Sequence, residues 1–128
     1  MNNTYANDTE YLIMAREKGT KLYGDYDSKR KYWITTTNKN DKELFNHPTI
    51  KPLDIIKTLI TNSTKENDIV LDCFCGSGTT CVAAKETNRK YIGMEIDKEY
   101  WKIANNRING IEASGQMTIM FDDKGEII

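Results

Sequence analysis

The amino-acid sequence predicts an α/β fold with a mainly parallel sheet, and two observations support this prediction. From residue 47 onward, hydrophobic residues alternate between helical and strand-like spacing in the order helix, strand, helix, strand, helix, strand. A glycine-rich loop, Gly76-Ser77-Gly78, joins the first strand to the helix that follows it. Because strands joined through helices pair in parallel with right-handed crossovers, the pattern indicates helices packed on a parallel sheet.

The first helix and the first strand follow from local signals. Pro52 is predicted to begin the helix, because proline is favoured at the first helical position. The apolar stripe of this helix has three- and four-residue spacing and consists of Leu53, Ile56, Leu59 and Ile60. Asn67-Asp68 is a turn signal, and the short apolar run Ile69-Val70-Leu71 after it is predicted to be a strand.

The later elements continue the same alternation. A second helix is predicted from Thr79 to about Asn88, and a second strand from Lys90 to Ile96. Asp97 can cap a helix, so a third helix is expected to follow it. This helix would carry the apolar and aromatic residues Tyr100, Trp101, Ile103, Ala104 and Ile108. Residues 117–121 are largely apolar and suit a third strand.

Residues 1–46 are polar and lack this regular alternation. Two short runs, residues 11–15 and 31–37, have the composition of strands, and glycines and charges between them indicate turns. The chain therefore divides by composition at about residue 46.

Composition limits the classes of protein to consider. With 128 residues and 14.7 kDa, the chain is expected to form one domain at most. Its 38% hydrophobic and 29% charged residues are typical of soluble proteins, and no apolar run approaches the about 18 residues of a membrane span. The net charge of −1 gives no electrostatic footprint for nucleic acid. Three cysteines without a secretion signal favour free thiols in the cytoplasm over a disulfide framework.

The most informative stretch runs from Val70 to Thr80. Here a strand leads into the glycine loop, and the loop opens a helix whose unpaired N–H groups can face an anion. Asp72 stands at the end of this strand, and Glu95, seventeen residues after Gly78, stands at the end of the next. A carboxylate there can accept hydrogen bonds from both ribose hydroxyls of a nucleoside. The spacing therefore indicates a nucleoside site at the carboxyl edge of the sheet.

Three ligand classes compete for this site, and a fourth interpretation is a tight turn without any ligand. A Walker phosphate loop requires a lysine after the second glycine, where this chain has Thr79-Thr80. A dinucleotide fingerprint requires a third glycine where Cys81 stands, which weakens the case for a pyrophosphate. Asp72 would repel a pyrophosphate but suits the positively charged amine of a methionine moiety. The remaining candidate is S-adenosylmethionine, a nucleoside with a carboxylate in place of phosphates.

Residues 72–80, DCFCGSGTT, resemble the cofactor motif of the DNA amino-methyltransferases, which methylate the exocyclic amino group of adenine or cytosine. Residues 47–53 resemble the segment that these enzymes, in their permuted β arrangement, place just before the glycine loop. Residues 91–97, with Tyr100 and residues 104–108, resemble the strand and helix that complete the cofactor pocket. The resemblance implies a partial Rossmann-like methyltransferase fold, three-layer with a mainly parallel sheet, and S-adenosylmethionine as cofactor.

The resemblance also implies roles for individual residues. Asp72 would face the methionine amine, Glu95 would bind the ribose hydroxyls, and the glycine loop would let the backbone approach the methionine moiety. Thr49 and Lys51 would reach the methionine carboxylate from the preceding segment, and Ile96 and Tyr100 would lie near the adenine ring. The full set of expected cofactor-binding residues is Thr49, Lys51, Asp72, Phe74, Gly76, Ser77, Gly78, Thr79, Thr80, Glu95, Ile96 and Tyr100.

The tetrapeptide with which this family holds the target base, Asp/Asn/Ser-Pro-Pro-aromatic, is absent, because Pro48 and Pro52 are not adjacent. We therefore expect no catalytic residue in this chain. Residues 1–46 would be what remains of the connection between the catalytic half and the cofactor segment, including any target-recognition loop. Within them, residues 10–16 are similar to a strand just downstream of the catalytic half. Residues 47–128 would be the part that binds S-adenosylmethionine.

Without the neighbouring strand of a catalytic half, Ile69-Val70-Leu71 is expected to be an open apolar edge. This edge would pair with a complementing catalytic chain or with a second copy of this chain, and DNA would be bound only through the complete enzyme. No membrane and no metal are expected as partners. Two alternatives stay open, namely an inactive cofactor-binding or regulatory module, and a different nucleoside enzyme such as a small-molecule methyltransferase or a degenerate dehydrogenase.

Overall fold

The computed structural model describes residues 9–35 and 50–110. The described elements are α1 (Leu53–Ser63), β1 (Ile69–Asp72), α2 (Thr79–Glu86), β2 (Lys90–Gly93) and α3 (Lys98–Ile108). The two strands pair in parallel, with Ile69 opposite Lys90 and Asp72 opposite Gly93. The predicted alternation of helices and strands and the parallel pairing are therefore confirmed, whereas the third strand expected at 117–121 lies outside the described residues. No helix in this part of the chain has the length and apolar character needed to cross a membrane.

Element ends differ from the prediction for local reasons. The first helix begins at Leu53, one residue after Pro52, which is its N-cap in an extended conformation. The second helix ends at Glu86 rather than near Asn88, because Asn88 has a φ of 60° in the left-handed region, which stops an α-helix. The second strand ends at Gly93 rather than at Ile96.

The prediction of strand-like segments near the N-terminus is wrong for the residues that the structure describes. Residues 11–15 and 31–35 contain no strand, and residues 36 and 37 lie outside the described part. The side chains of Tyr11, Ile13 and Ile34 are almost fully exposed. Composition alone does not make a strand when no neighbouring backbone pairs with it.

Helix α2 forms the centre of the described core. It lies against both strands, and α1 and α3 both pack on it. Ala83 and Ala84 are fully buried, and their small side chains let the backbone of α2 approach its neighbours closely. Around them lie Ile60 of α1 and the partly buried residues Val70 and Tyr91 of the two strands. The core therefore holds the loop before α2 in a fixed place relative to the sheet.

The two faces of the sheet differ sharply in what covers them. Val70 and Tyr91 point into the helical core, whereas Ile69, Leu71 and Ile92 point to the other face. Within residues 9–35 and 50–110 no element covers that second face, and Leu71 is 56% exposed. A parallel sheet normally has both faces buried, so this apolar surface has the character of an interface.

The irregular segment 9–35 is attached to the end of α1 by polar contacts. The buried amide of Asn62 donates to the carbonyl of Ser28 at 2.8 Å and accepts from the Ser28 hydroxyl at 2.9 Å. The backbone N–H of Tyr23 donates to the carbonyl of Asn62 at 2.7 Å. Gly24 permits this arrangement, because a Cβ at this residue would stand 1.6 Å from Asn62 Oδ1.

Candidate functional site

The candidate site lies at the carboxyl ends of β1 and β2. Asp72 is the last residue of β1, and the loop 73–78 connects it to α2. Residues 94–97 follow β2 and lead into α3. In open parallel sheets this edge is where ligands bind. The structure therefore brings the predicted glycine loop and the predicted acidic residue to one edge of the sheet.

The glycine loop has a backbone that favours glycine at two positions. Gly76 has a φ of 52° and Gly78 a φ of 76°, both in the left-handed region. The N–H of Gly78 donates to the carbonyl of Cys75 at 2.7 Å, which closes the turn, and Gly78 is the N-cap of α2. The loop therefore turns the chain directly into the start of a helix.

Glu95 joins the glycine loop to the segment after β2. Its Oε2 accepts from the backbone N–H of Gly76 at 2.8 Å, and its Oε1 accepts from the backbone N–H of Asp97 at 2.9 Å. An ionised carboxylate offers about four acceptor positions, so two remain for further donors. Glu95 is thus fixed by two backbone groups and still able to accept hydrogen bonds from a ligand.

Asp72 directly precedes the glycine loop as the last residue of β1. Its Oδ1 accepts from the N–H of Phe74 at 3.1 Å, and its carbonyl accepts from the N–H of Met94 at 2.9 Å. In return the N–H of Cys75 donates to the carbonyl of Met94 at 2.9 Å. The two strand ends therefore remain hydrogen-bonded beyond the ladder, and one carboxylate oxygen of Asp72 has no hydrogen bond among the described contacts.

Two large apolar side chains flank the site and are almost fully exposed among the residues that the structure describes. Phe74, in the glycine loop, is 91% exposed, and Ile96, after β2, is 99% exposed. Exposed apolar groups beside a polar loop mark surfaces that meet an apolar ligand or partner. Tyr100 lies nearby on the first turn of α3 and is half-buried. The predicted cap of that helix is confirmed, since Asp97 Oδ1 accepts from the N–H groups of Glu99 and Tyr100 at 2.9 and 3.0 Å.

Arg107 is a residue of the site to which the sequence assigned no role. Its Nη1 donates to the carbonyl of Ser77 at 2.7 Å, to the hydroxyl of Ser77 at 2.9 Å and to the hydroxyl of Thr79 at 2.9 Å. Arg107 is 9% exposed, and Ser77 and Thr79 are also buried. The hydroxyls of Ser77 and Thr79 therefore face the protein interior and not a ligand. The available signal was a single arginine between Ala104 and Ile108 on the apolar side of α3.

Three further residues are expected to bind the cofactor, namely Lys51, Thr80 and Thr49. Lys51 Nζ forms an ion pair with Glu10 Oε1 at 2.5 Å, and both side chains are substantially exposed. Such a pair exchanges easily, because exposed ion pairs contribute little free energy. Thr80 is half-buried on α2, and Thr49 lies outside the described residues. Within 9–35 and 50–110 no three His, Cys, Asp or Glu side chains are grouped so that they could hold a metal ion.

The fold and this loop define an α/β protein with a candidate ligand site at the carboxyl edge of a parallel sheet. Comparison with known sequences places the chain in a family. The family profile described as DNA methylase matches residues 2–106. The chain therefore belongs to the DNA methylase family, as the motif at 72–80 predicted. The glycine loop and Glu95 both lie within the matched region.

Individual relatives agree with this assignment. The chain is 40% identical over 117 residues to Type II methyltransferase M2.LlaDCHI of Lactococcus lactis subsp. cremoris. This match covers 82% of this chain and 44% of the relative. It is 38% identical over 116 residues to Type II methyltransferase M2.DpnII of Streptococcus pneumoniae, covering 81% and 43%. The crystal structure of the M1.HpyAVI-SAM complex superposes with a TM-score of 0.60 at 34% identity, covering 73% of this chain and 47% of that one.

Two facts follow from these comparisons. The predicted α/β methyltransferase fold with a parallel sheet is confirmed. The chain spans less than half the length of each of these three relatives.

Proposed function

We propose that this chain is the S-adenosylmethionine-binding part of a site-specific DNA methyltransferase that acts on an amino group of adenine or cytosine. The observation that carries this proposal is the pair of hydrogen bonds by which Glu95 joins Gly76 to Asp97. They place a carboxylate with open acceptor positions beside the glycine loop. The relative M1.HpyAVI, solved as a complex with S-adenosylmethionine, supports this choice of cofactor.

Each part of the cofactor has a chemically suitable partner in the proposed site. The free carboxylate oxygen of Asp72 suits the methionine ammonium group, and the open acceptor positions of Glu95 suit the ribose hydroxyls. The exposed side chains of Phe74 and Ile96 suit the apolar faces of the adenine ring. Bound there, the cofactor supplies a methyl group on a positively charged sulfur. Lys51 is released from Glu10 when it meets the methionine carboxylate.

The residues that hold the target base belong, in this proposal, to polypeptide outside these 128 residues. The sequence has no adjacent prolines and therefore no base-holding tetrapeptide of the family type. Residues 1–46 then serve as the connection towards the catalytic half and target recognition, and 47–128 as the cofactor part. No element of residues 9–35 and 50–110 covers the apolar face formed by Ile69, Leu71 and Ile92, which supports a complementing catalytic half that packs there. In this proposal DNA is bound through the complete enzyme.

Calorimetric titration with S-adenosylmethionine tests the cofactor assignment. We expect the chain to bind S-adenosylmethionine and S-adenosylhomocysteine and not to bind NAD. Glu95→Gln should weaken binding about tenfold or more, because hydrogen bonds to a charged group contribute about 1.5–3 kcal/mol. Glu99→Gln is the matched control, since Glu99 is an exposed carboxylate near the site that pairs with Lys102 at 2.9 Å. Binding of NAD, or no cofactor binding by the folded chain, would contradict the assignment.

A methyl-transfer assay tests the second part of the proposal. The chain is incubated with radiolabelled S-adenosylmethionine and DNA, first alone and then with a family protein fragment that carries the proline tetrapeptide. We expect no transfer by the chain alone and measurable transfer by the mixture. Methylation of DNA by the chain alone would show that its own residues hold the target base.

A further inference from the structure

Two cysteine sulfurs meet behind the glycine loop, at a place that the proposed cofactor contacts do not use. A Cβ built on Gly93 would stand 2.6 Å from Cys81 Sγ and 3.2 Å from Cys75 Sγ. The two thiols therefore occupy the space that the missing side chain of Gly93 leaves at the end of β2. Cys75 belongs to the glycine loop, and Cys81 to the first turn of α2. One thiol is on each side of the turn made by residues 76–78.

The two thiols differ in their access to solvent and in their acidity. Cys81 is 2% exposed, whereas Cys75 is only half-buried. A hydrogen bond with Cys75, together with burial, raises the pKa of the Cys81 thiol. The same hydrogen bond lowers the pKa of the Cys75 thiol, against burial and the nearby carboxylates of Asp72 and Glu95. Cys75 is therefore the thiol that a small oxidant meets first, and Cys81 stands behind it as a reducing partner.

We propose that Cys75 and Cys81 form a reversible redox pair, a modification site at which a peroxide closes a disulfide under the glycine loop and so weakens cofactor binding. The effect on cofactor binding rests on the function proposed above, whereas disulfide formation does not.

The chemistry balances with hydrogen peroxide as the oxidant. The Cys75 sulfur attacks one peroxide oxygen, the O–O bond breaks, and one water leaves while Cys75 becomes a sulfenic acid. The Cys81 sulfur then attacks the sulfur of Cys75, the S–O bond breaks, and a second water leaves. Two thiols and one peroxide thus give one disulfide and two waters. A dithiol reductant reverses the bond by thiol–disulfide exchange.

The loop has little freedom to absorb this bond. The N–H of Cys75 donates to Met94 at 2.9 Å, its carbonyl accepts from Gly78 at 2.7 Å, and the N–H of the next residue, Gly76, donates to Glu95 at 2.8 Å. A covalent S–S bond is much shorter than a contact between two thiols, so Cys75 must move towards Cys81. This movement disturbs the part of the loop that is bonded to Glu95, the residue that we expect to bind the ribose.

Mass spectrometry tests disulfide formation without any cofactor. Trypsin releases residues 66–85 as one peptide that contains Cys73, Cys75 and Cys81, so the test is made in a Cys73→Ser background. After peroxide treatment this peptide should lose two hydrogens, and a dithiol reductant should restore them. The double variants Cys73→Ser/Cys75→Ser and Cys73→Ser/Cys81→Ala should show no such loss. A peptide that keeps its mass, or gains oxygen instead, would overturn the proposal.

Two further measurements test the effect on the site. In the Cys73→Ser protein, oxidation should raise the dissociation constant for S-adenosylmethionine by about tenfold or more, and should speed backbone amide exchange in residues 74–78. The Cys73→Ser/Cys81→Ala protein should show neither change. Equal affinity and equal exchange before and after disulfide formation would overturn the regulatory effect. If the reduced protein binds no cofactor, the function proposed above fails, and the amide exchange alone then decides whether the disulfide alters the loop.

Discussion

Ala104 of α3 fills the space that Gly78 leaves empty. A Cβ on Gly78 would stand 2.8 Å from the Cβ of Ala104, closer than real Cβ atoms approach a neighbour, and 3.0 Å from its Cα. Gly78 also has a φ of 76°, so its position forbids a side chain for two separate reasons. The requirement for glycine at the start of α2 therefore comes from Ala104 of α3 as well as from the left-handed backbone conformation.

Gly78→Ala should lower the free energy of unfolding by about 2–5 kcal/mol, from the left-handed backbone and from overpacking against Ala104. Gly110→Ala is the matched control, because Gly110 has a φ of 70° and no atom of the residues that the structure describes lies within 4 Å of its missing Cβ. It should cost about 1–2 kcal/mol, the backbone part alone. Urea unfolding of both variants measures the difference, and equal losses would contradict a role for Ala104.

Arg107→Lys should weaken both the fold and the cofactor site. The substitution removes the planar guanidinium group, whose Nη1 bonds Ser77 and Thr79, and leaves an ammonium group in a buried place. We expect a loss of about 2–4 kcal/mol in the free energy of unfolding and a weaker affinity for S-adenosylmethionine.

Arg89→Lys provides the comparison for this prediction. Arg89 is half-buried and bonds Thr64 through its Nε at 3.1 Å and its Nη2 at 2.9 Å, in a turn that has no part in the proposed site. This variant should lose stability without losing cofactor affinity. If both arginine variants change the cofactor affinity equally, Arg107 acts only through general stability.

Leu71→Lys should leave the isolated chain folded and able to bind the cofactor, because Leu71 is 56% exposed on the face of the sheet that no other described element covers. It should abolish association with a complementing catalytic half, since a buried lysine without a partner is costly. Val70 lies one residue earlier and points into the core beside Ile60, so Val70→Lys should unfold the chain. Thermal unfolding and co-elution in gel filtration measure the two effects, and an unchanged association of Leu71→Lys would show that this face is not the interface.

Tyr91→Phe should reduce the fall of the free energy of unfolding at alkaline pH. Burial, with a smaller contribution from Cys81, raises the pKa of the Tyr91 hydroxyl above its ordinary value of 10.0. Above about pH 10 the unfolded chain therefore releases this proton while the folded chain retains it, so stability falls as the pH rises. Urea unfolding between about pH 8 and 11 should show a shallower decline for Tyr91→Phe than for the wild type. Tyr11→Phe, at a residue that is 93% exposed, should keep the wild-type decline.

The part of the fold that depends on local signals could be predicted from the sequence. The apolar stripe after Pro52, the run at 69–71 and the cap at Asp97 each act within a few residues, and each gave the right element. The position of the glycine loop and Glu95 at one edge of the sheet could also be predicted, because parallel strands joined through a helix bring their ends together. The family resemblance added the identity of the cofactor to this geometry.

The features that depend on contacts across the chain could not be predicted. Arg107 bonds Ser77 across 30 residues, and its place on the apolar side of α3 indicates burial but does not identify its partner. The meeting of Cys75 with Cys81 depends on the absence of a side chain at Gly93 in the neighbouring strand. The prediction of a strand at 11–15 is wrong for the same physical reason, since a strand needs a pairing partner that composition does not supply.

The inward orientation of the loop hydroxyls has a consequence for how such a chain evolves. Ser77 and Thr79 are hydrogen-bonded to Arg107, and Gly78 packs against Ala104. The residue types allowed in the glycine loop and at the start of α2 therefore depend on those of α3, and the reverse also holds. We expect a change in one part to be retained only when the other part compensates for it. We expect the loop and α3 to be inherited together, and chimaeras that exchange α3 alone between homologues to lose their loop geometry.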